Sequence, residues 1–280
     1  PIDAMPSACC VGTAAPDNSS AVWQCQTFHL QVTQVFQPHA RQHPGPRIAE
    51  YSSDGSQLLQ QIGQSGKYDS SDGTREGQPL NSDQAQFFLP ASVDVDPSNG
   101  DIYVADGETS RGNYRVAVLD REGRFLRQWS LRRSASERDL TPLPHCLRLS
   151  HDGLVYVCDR QADRIQVFDR MGTFMRNIDV PWPEEAPPAV RRGTTRGTAV
   201  VIAFSSDPAQ RYLFVLNQNS VMVDVLDRQS GHVVSSFGGG PGRYVSQFTL
   251  PHGIGVDSSG NVYVAEQEGR RIQKFRIVRP

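Results

Sequence analysis

Apolar and polar residues alternate in short runs along most of this chain. Four stretches read alike: VDVDPSNGDIYVADG from Val93, LRLSHDGLVYVCDR from Leu147, IAFSSDPAQRYLFVLNQ from Ile202 and IGVDSSGNVYVAEQ from Ile254. In each, an alternating strand meets a polar turn of Asp, Ser, Gly or Pro and continues as a second strand rich in Val and Tyr, which predicts a β-hairpin. A third alternating stretch follows every hairpin, as in YRVAVLD from Tyr114 and DRIQVFD from Asp163. The first three units add a fourth: GRFLRQW, GTFMRNI and GHVVSSFG. No run carries a 3.6-residue period longer than a turn, so helical solenoids and βαβ sheets are excluded.

The four units begin at 93, 147, 202 and 254, a spacing of 52 to 55 residues. Propeller blades take roughly 40 to 50 residues, so the pattern predicts an all-β propeller of four-stranded blades. The stretch PRIAEYSSDGSQLLQQIG from Pro46 repeats only the third and fourth strands of a unit. Its first two strands are expected before residue 46. The last unit stops after its third strand near Val278, and closure of the ring would draw the missing outer strand from the N-terminal segment. The expectation is one domain over 46–280 with five to six blades. Residues 1–45 form an irregular segment that supplies a reduced blade and closes the ring. The polar stretches 63–83 and 181–196 fall between blades.

Composition narrows the function classes. A net charge of −2 with 21 % charged residues gives no basic field for nucleic acid. The longest apolar runs are strand-sized, far short of the ~20 residues of a membrane span. The start at Pro1 fits a processed mature chain or a fragment. Abundant polar residues, only two Lys and one sequon at Asn18-Ser19-Ser20 lean toward a secreted or periplasmic protein. Five cysteines include no CxxC pair, so neither a disulfide scaffold nor a zinc knuckle is indicated. Cys146 and Cys158 mirror each other about the turn at Asp152-Gly153, so they face one another on adjacent strands as a disulfide or as two small thiols. The glycine-rich GGGPGR from Gly238 has no helix after it and reads as a turn between blades.

The units resemble NHL repeats, and the order of motifs from about Arg47 to Phe275 resembles the peptidyl-α-hydroxyglycine α-amidating lyases and their bacterial relatives. The motifs carrying this likeness are PASVDVDPSNGDIYVADG, LPHCLRLSHDGLVYVCDRQADRIQVF and LPHGIGVDSSGNVYVAEQEGRRIQKF. The resemblance implies a six-bladed ring whose first blade is here reduced. It also implies three histidines, at the starts of innermost strands in alternate blades, that bind zinc at the mouth of the central channel. Pro144-His145 and Pro251-His252 match two of these. His145 lies 19 residues before Arg164 and His252 lies 19 before Arg271, while His29 lies 18 before Arg47. His29 is therefore the candidate third ligand, since His39 and His43 leave no room for two strands before Arg47.

By the same resemblance Arg160, in Cys158-Asp159-Arg160, is an active-site arginine able to clamp a substrate carboxylate in a bidentate fork. Its competing role is a local ion pair with Asp159 or Asp163. Two family positions differ. Glu108 follows Asp106-Gly107 where the family has tyrosine, with Tyr114 the nearest substitute, and Gly253 replaces an aspartate that serves bound calcium. The activity implied is cleavage of a peptidyl-α-hydroxyglycine to a peptide amide and glyoxylate, with Arg160, Glu108 and Tyr114 as catalytic candidates and His29, His145 and His252 as metal ligands. The alternative is a non-catalytic propeller that docks a protein partner inside a larger assembly. A weaker third reading, a lactonase-like calcium propeller, would draw ligands from Asp106, Asn217 and Glu266.

Overall fold

A computed structural model describes residues 46–52, 54–78, 80–108, 112–133, 141–180 and 197–277, together with the backbone of 21–24 and 32–36. The described strands form five antiparallel sheets. Blade I is β1 (Ala21–Gln24), β2 (Val32–Phe36), β3 (Arg47–Tyr51) and β4 (Leu58–Ile62), in that order. Blade II is β5 (Pro90–Val95), β6 (Ile102–Asp106), β7 (Arg115–Leu119) and β8 (Phe125–Ser130), and blade III is β9 (Pro144–Leu149), β10 (Leu154–Asp159), β11 (Arg164–Asp169) and β12 (Phe174–Asp179). Blade IV is β13 (Val201–Phe204), β14 (Tyr212–Asn217), β15 (Met222–Asp227) and β16 (Val233–Phe237). Blade V contains β17 (Pro251–Val256), β18 (Val262–Glu266) and β19 (Arg271–Phe275), with three strands among the described residues.

The unit seen in sequence only by its tail thus has its first two strands in β1 and β2, paired as Ala21↔Phe36 and Val32↔Tyr51. The propeller class expected from the repeat is observed. No helix among the described residues is long and apolar enough to cross a membrane.

The core lies between blades rather than inside any one of them. Along β10, Val155 and Val157 pack with Tyr103, Val116 and Leu147 toward blade II. The intervening Tyr156 and Cys158 pack with Ile202, Leu213 and Leu226 toward blade IV. A strand alternates its side chains between two faces. In a stacked blade both faces are covered, so β6 and β7 are buried at every position. Outer strands have one open face, which leaves Leu59, Leu126, Met175 and Val234 exposed.

A polar lock repeats at one end of the blades. The acid ending the second strand accepts backbone N–H groups from the segment entering the first strand, and it pairs with the arginine opening the third. Asp106 takes Phe88 and Leu89 N–H and Arg115 Nε; Asp159 takes Leu143 N–H and Arg164 Nε; Glu266 takes Thr249 N–H and Arg271 Nε. The arginine then reaches a backbone carbonyl of the incoming segment: Gln86, Arg132 or Gln247. Buried charges persist only when paired in this way. Blade IV carries Asn217 and Met222 at these positions, and Asn217 Nδ2 bonds Asp224 instead. In blades II, III and V these locks fix where the first strand begins, and so position its second residue.

Candidate functional site

In blades III and V that second residue is a histidine. His145 on β9 and His252 on β17 lie two blades apart, yet their rings stand edge to face with centroids 5.1 Å apart. His145 is 6 % exposed, and its Nδ1 lies 2.7 Å from the carbonyl oxygen of Val200. A carbonyl only accepts, so Nδ1 carries a ring proton directed at Val200.

Glu108 enters the same space from the end of β6. Gly107 sits at φ 131°, and a Cβ there would fall 2.4 Å from the Tyr114 nitrogen, so only glycine makes this turn. Glu108 N–H is then held by the Leu89 carbonyl, and its Oε1 reaches 3.1 Å from His145 Nε2. Arg160 begins a short 3-10 turn after β10, and its Nη1 lies 3.7 Å from the same Oε1. Asp159 is bound to Arg164, and Asp163 accepts Thr198 N–H.

The structure therefore brings together Glu108, His145, Arg160 and His252. Tyr114 is placed differently, with its ring beneath Arg133 at 6.0 Å and its carbonyl bonded to Leu131 N–H. His29 lies outside the described residues. Among the described residues, no three His, Cys, Asp or Glu side chains are closed into a metal-sized cluster. The residues mentioned for a calcium propeller are engaged in their own blades, Asp106 and Glu266 in the locks and Asn217 with Asp224. A side chain at Gly253 would begin 3.2 Å from Ala265 Cβ.

Gln218 was not legible as a site residue in the sequence. Its Oε1 accepts from Arg160 Nη2 at 3.2 Å, and its Nε2 donates to the Pro251 carbonyl at 3.0 Å, tying blades III, IV and V together beside His252. The available signal was register, because Gln218 follows the last residue of β14 as Arg160 follows the last of β10. The charge balance holds His252 neutral near pH 7. Burial, first, and then neighbouring His145 push its pKa down to about 4, with Arg160 adding to the shift and Glu108 opposing it.

Cys146 and Cys158 stand in register and form a disulfide, with Cα atoms 4.9 Å apart. The bridge joins the strand that carries His145 to the strand that ends before Arg160. It resolves the choice between bridge and paired thiols left open by the sequence.

Fold and repeat together define an NHL-type β-propeller, and the NHL repeat model matches residues 89–119 and 248–275. Mouse NHL repeat-containing protein 3 is 30 % identical over 233 residues, covering 82 % of this chain and 59 % of that protein. Mouse peptidyl-glycine alpha-amidating monooxygenase is 30 % identical over 207 residues, 70 % of this chain and 19 % of the relative. Peptidyl-alpha-hydroxyglycine alpha-amidating lyase 1 of Drosophila melanogaster is 31 % identical over 199 residues, 68 % and 35 % of the two chains. The chain thus spans about three fifths or less of each of these relatives. Among solved structures, a 6-phosphogluconolactonase-like protein of Bacteroides fragilis superposes with a TM-score of 0.54 at 12 % identity, covering 89 % of this chain and 65 % of that one. That likeness concerns the fold alone.

Proposed function

We propose that this propeller is a lyase-type module that takes a small peptide ligand with a terminal carboxylate at the mouth of its channel. The observation that carries the reading is the meeting of His145 and His252 from alternate blades with Glu108 and Arg160 against them. The donor chemistry suits a divalent ion such as zinc. Two imidazoles are neutral ligands, and the buried His145 Nε2 has no hydrogen-bond partner while its Nδ1 is tied to a carbonyl, the outer-shell arrangement that orients metal-binding histidines. Such an ion, when bound, supplies Lewis-acid polarisation of a substrate hydroxyl. Calcium at Gly253 has no carboxylate to support it.

The chain's own groups divide the remaining work. Arg160, steered by Gln218, presents a planar fork to the ligand's carboxylate. Glu108 Oε1, 3.1 Å from His145 Nε2, is a carboxylate able to accept a proton beside the imidazoles and takes the place where the resembled family has tyrosine. The buried disulfide accords with an extracytoplasmic setting. The test is release of glyoxylate from a peptidyl-α-hydroxyglycine by metal-loaded protein, compared with Arg160→Ala and with His145→Ala/His252→Ala. Absence of turnover and of peptide binding in the loaded wild type rejects the reading.

A second reading rests on extent. The similarity to NHL repeat-containing protein 3 covers 82 % of this chain, against 68 to 70 % for the two lyase relatives above. On this reading the propeller docks a protein partner without catalysis, and the same assay separates the two, since partner binding would survive loss of both histidines.

A further inference from the structure

Below the histidines the innermost strands carry a second charged layer. Strand pairing places four residues at one level, each opposite an aromatic of the second strand: Asp94 opposite Tyr103, Arg148 opposite Tyr156, Ala203 opposite Phe214 and Gly255 opposite Tyr263. Arg148 follows His145 by three residues, so at about 3.3 Å per residue this layer lies roughly 10 Å further along the channel.

The guanidinium of Arg148 stands at the channel wall. β9 is the innermost strand of blade III and pairs with β10 on one edge only. On its other edge, Leu147 N–H donates to Ser92 Oγ at 3.1 Å and Leu149 N–H donates to Asp94 Oδ2 at 2.8 Å, both groups reaching across from β5. In a strand the N–H and C=O of one residue point the same way. The Leu147 carbonyl therefore lies on that free edge, and Arg148 Nη1 donates to it at 3.1 Å. This is the one hydrogen bond that Arg148 makes among the described residues, and its Nε and Nη2 edge is left without a protein acceptor. Arg148 is half-buried between the buried Leu147 and Leu149.

Asp94 balances the charge of Arg148 without occupying its fork. Its Oδ1 accepts Val95 N–H at 2.9 Å and its Oδ2 accepts Leu149 N–H. The two charges still act on each other: burial pushes the Asp94 carboxyl up to about 6 with Arg148 the main opposing influence, and burial lowers the Arg148 pKa while Asp94 opposes. Blades IV and V contribute only Ala203 and Gly255 to the layer, and a Cβ on Gly255 would meet no atom within 4 Å. The layer thus pairs an unfilled guanidinium edge with open space.

We infer that Arg148 forms an anion site inside the channel, separate from the mouth, that takes a small carboxylate in a bidentate fork through Nε and Nη2. A planar carboxylate matches the two parallel donors of that edge. Asp94 selects against a second negative charge, so a monoanion is preferred to phosphate. This assignment does not depend on the reading of the histidines.

The experiment is calorimetric titration of the full-length protein at pH 7 with acetate, and separately with inorganic phosphate, chloride being held constant. It is made in an Arg160→Ala background, so that acetate cannot report the guanidinium at the mouth. Added to that background are Arg148→Gln, Arg148→Lys, Asp94→Asn and Gly255→Leu, each first checked by circular dichroism. The background protein should bind one acetate per chain, and phosphate more weakly. Arg148→Gln should weaken acetate roughly 10-fold or more, the loss expected for hydrogen bonds to a charged group. Arg148→Lys, which keeps the charge and loses the fork, should fall between the two. Asp94→Asn should tighten acetate and tighten phosphate further. Gly255→Leu fills the open space with Arg148 intact and should weaken acetate, which decides the matter if the glutamine variant does not fold. No acetate uptake by the background protein, or unchanged affinity in either Arg148→Gln or Gly255→Leu, would overturn the assignment while leaving the reading of the mouth untouched.

Discussion

Replacing Arg164 by Met tests the idea that repeated acid–arginine locks hold the blades in place. Asp159 is fully buried and receives Nε and Nη2 of Arg164 at 3.0 and 2.9 Å. Without the guanidinium it keeps only Leu143 N–H and Gln166 Nε2, at 3.0 and 2.9 Å. Removing one partner of a buried pair costs about 3 to 5 kcal/mol because a charge is stranded. For a domain of this size that corresponds to a fall in Tm of roughly 6 to 20 °C. The double variant Asp159→Asn/Arg164→Met reproduces the neutral pair that blade IV carries as Asn217 and Met222, so it should be less destabilised than the single variant by about 2 kcal/mol.

Urea unfolding at pH 7, with the m-value checked for constancy, measures both variants. The pH dependence adds a second reading. Burial already pushes the Asp159 carboxyl up, with Leu143 N–H and Arg164 the main opposing influences. Without Arg164 the folded pKa rises further above the unfolded value of about 3.9, so the deficit is full above that raised pKa and shrinks as pH falls through it. A double variant as unstable as the single one, or an Arg164→Met protein within about 1 kcal/mol of wild type, would refute the stranded-charge argument.

Other expectations concern the site. Metal-free wild type should lose stability as pH falls from about 6.5 toward 4, by up to about 3 kcal/mol, because unfolded His252 takes up a proton that the folded side chain refuses until about pH 4; His252→Asn should flatten that slope. Gly107→Ala should be destabilised by about 1 to 3 kcal/mol from backbone strain alone, and should displace Glu108, read as weakened metal or ligand binding. Non-reducing peptide mapping should recover Cys146 linked to Cys158, and Cys146→Ala/Cys158→Ala should lower stability by about 2 to 3 kcal/mol, the range for a short closed loop.

The repeat of alternating strands by itself determines the all-β propeller, because blades bury both faces of their inner strands and write that demand into four similar units. His145, His252, Arg160 and Glu108 were each legible as candidates, from motif and register. The convergence of the two histidines beside Arg160 was implied by the family resemblance; the contact of Glu108 with His145 was not. Glu108 is 37 residues from His145 in the chain, and His145 is 107 from His252. What joins them is the ring, which turns equivalent positions of successive blades toward one axis, together with a glycine turn at 107 that points one carboxylate inward. Local pattern carries secondary structure and core, since those depend on neighbours along the strand. A site assembled from blades II, III, IV and V depends on distances across the channel, and only the tertiary structure could bring His145 Nε2 and Glu108 Oε1 to 3.1 Å.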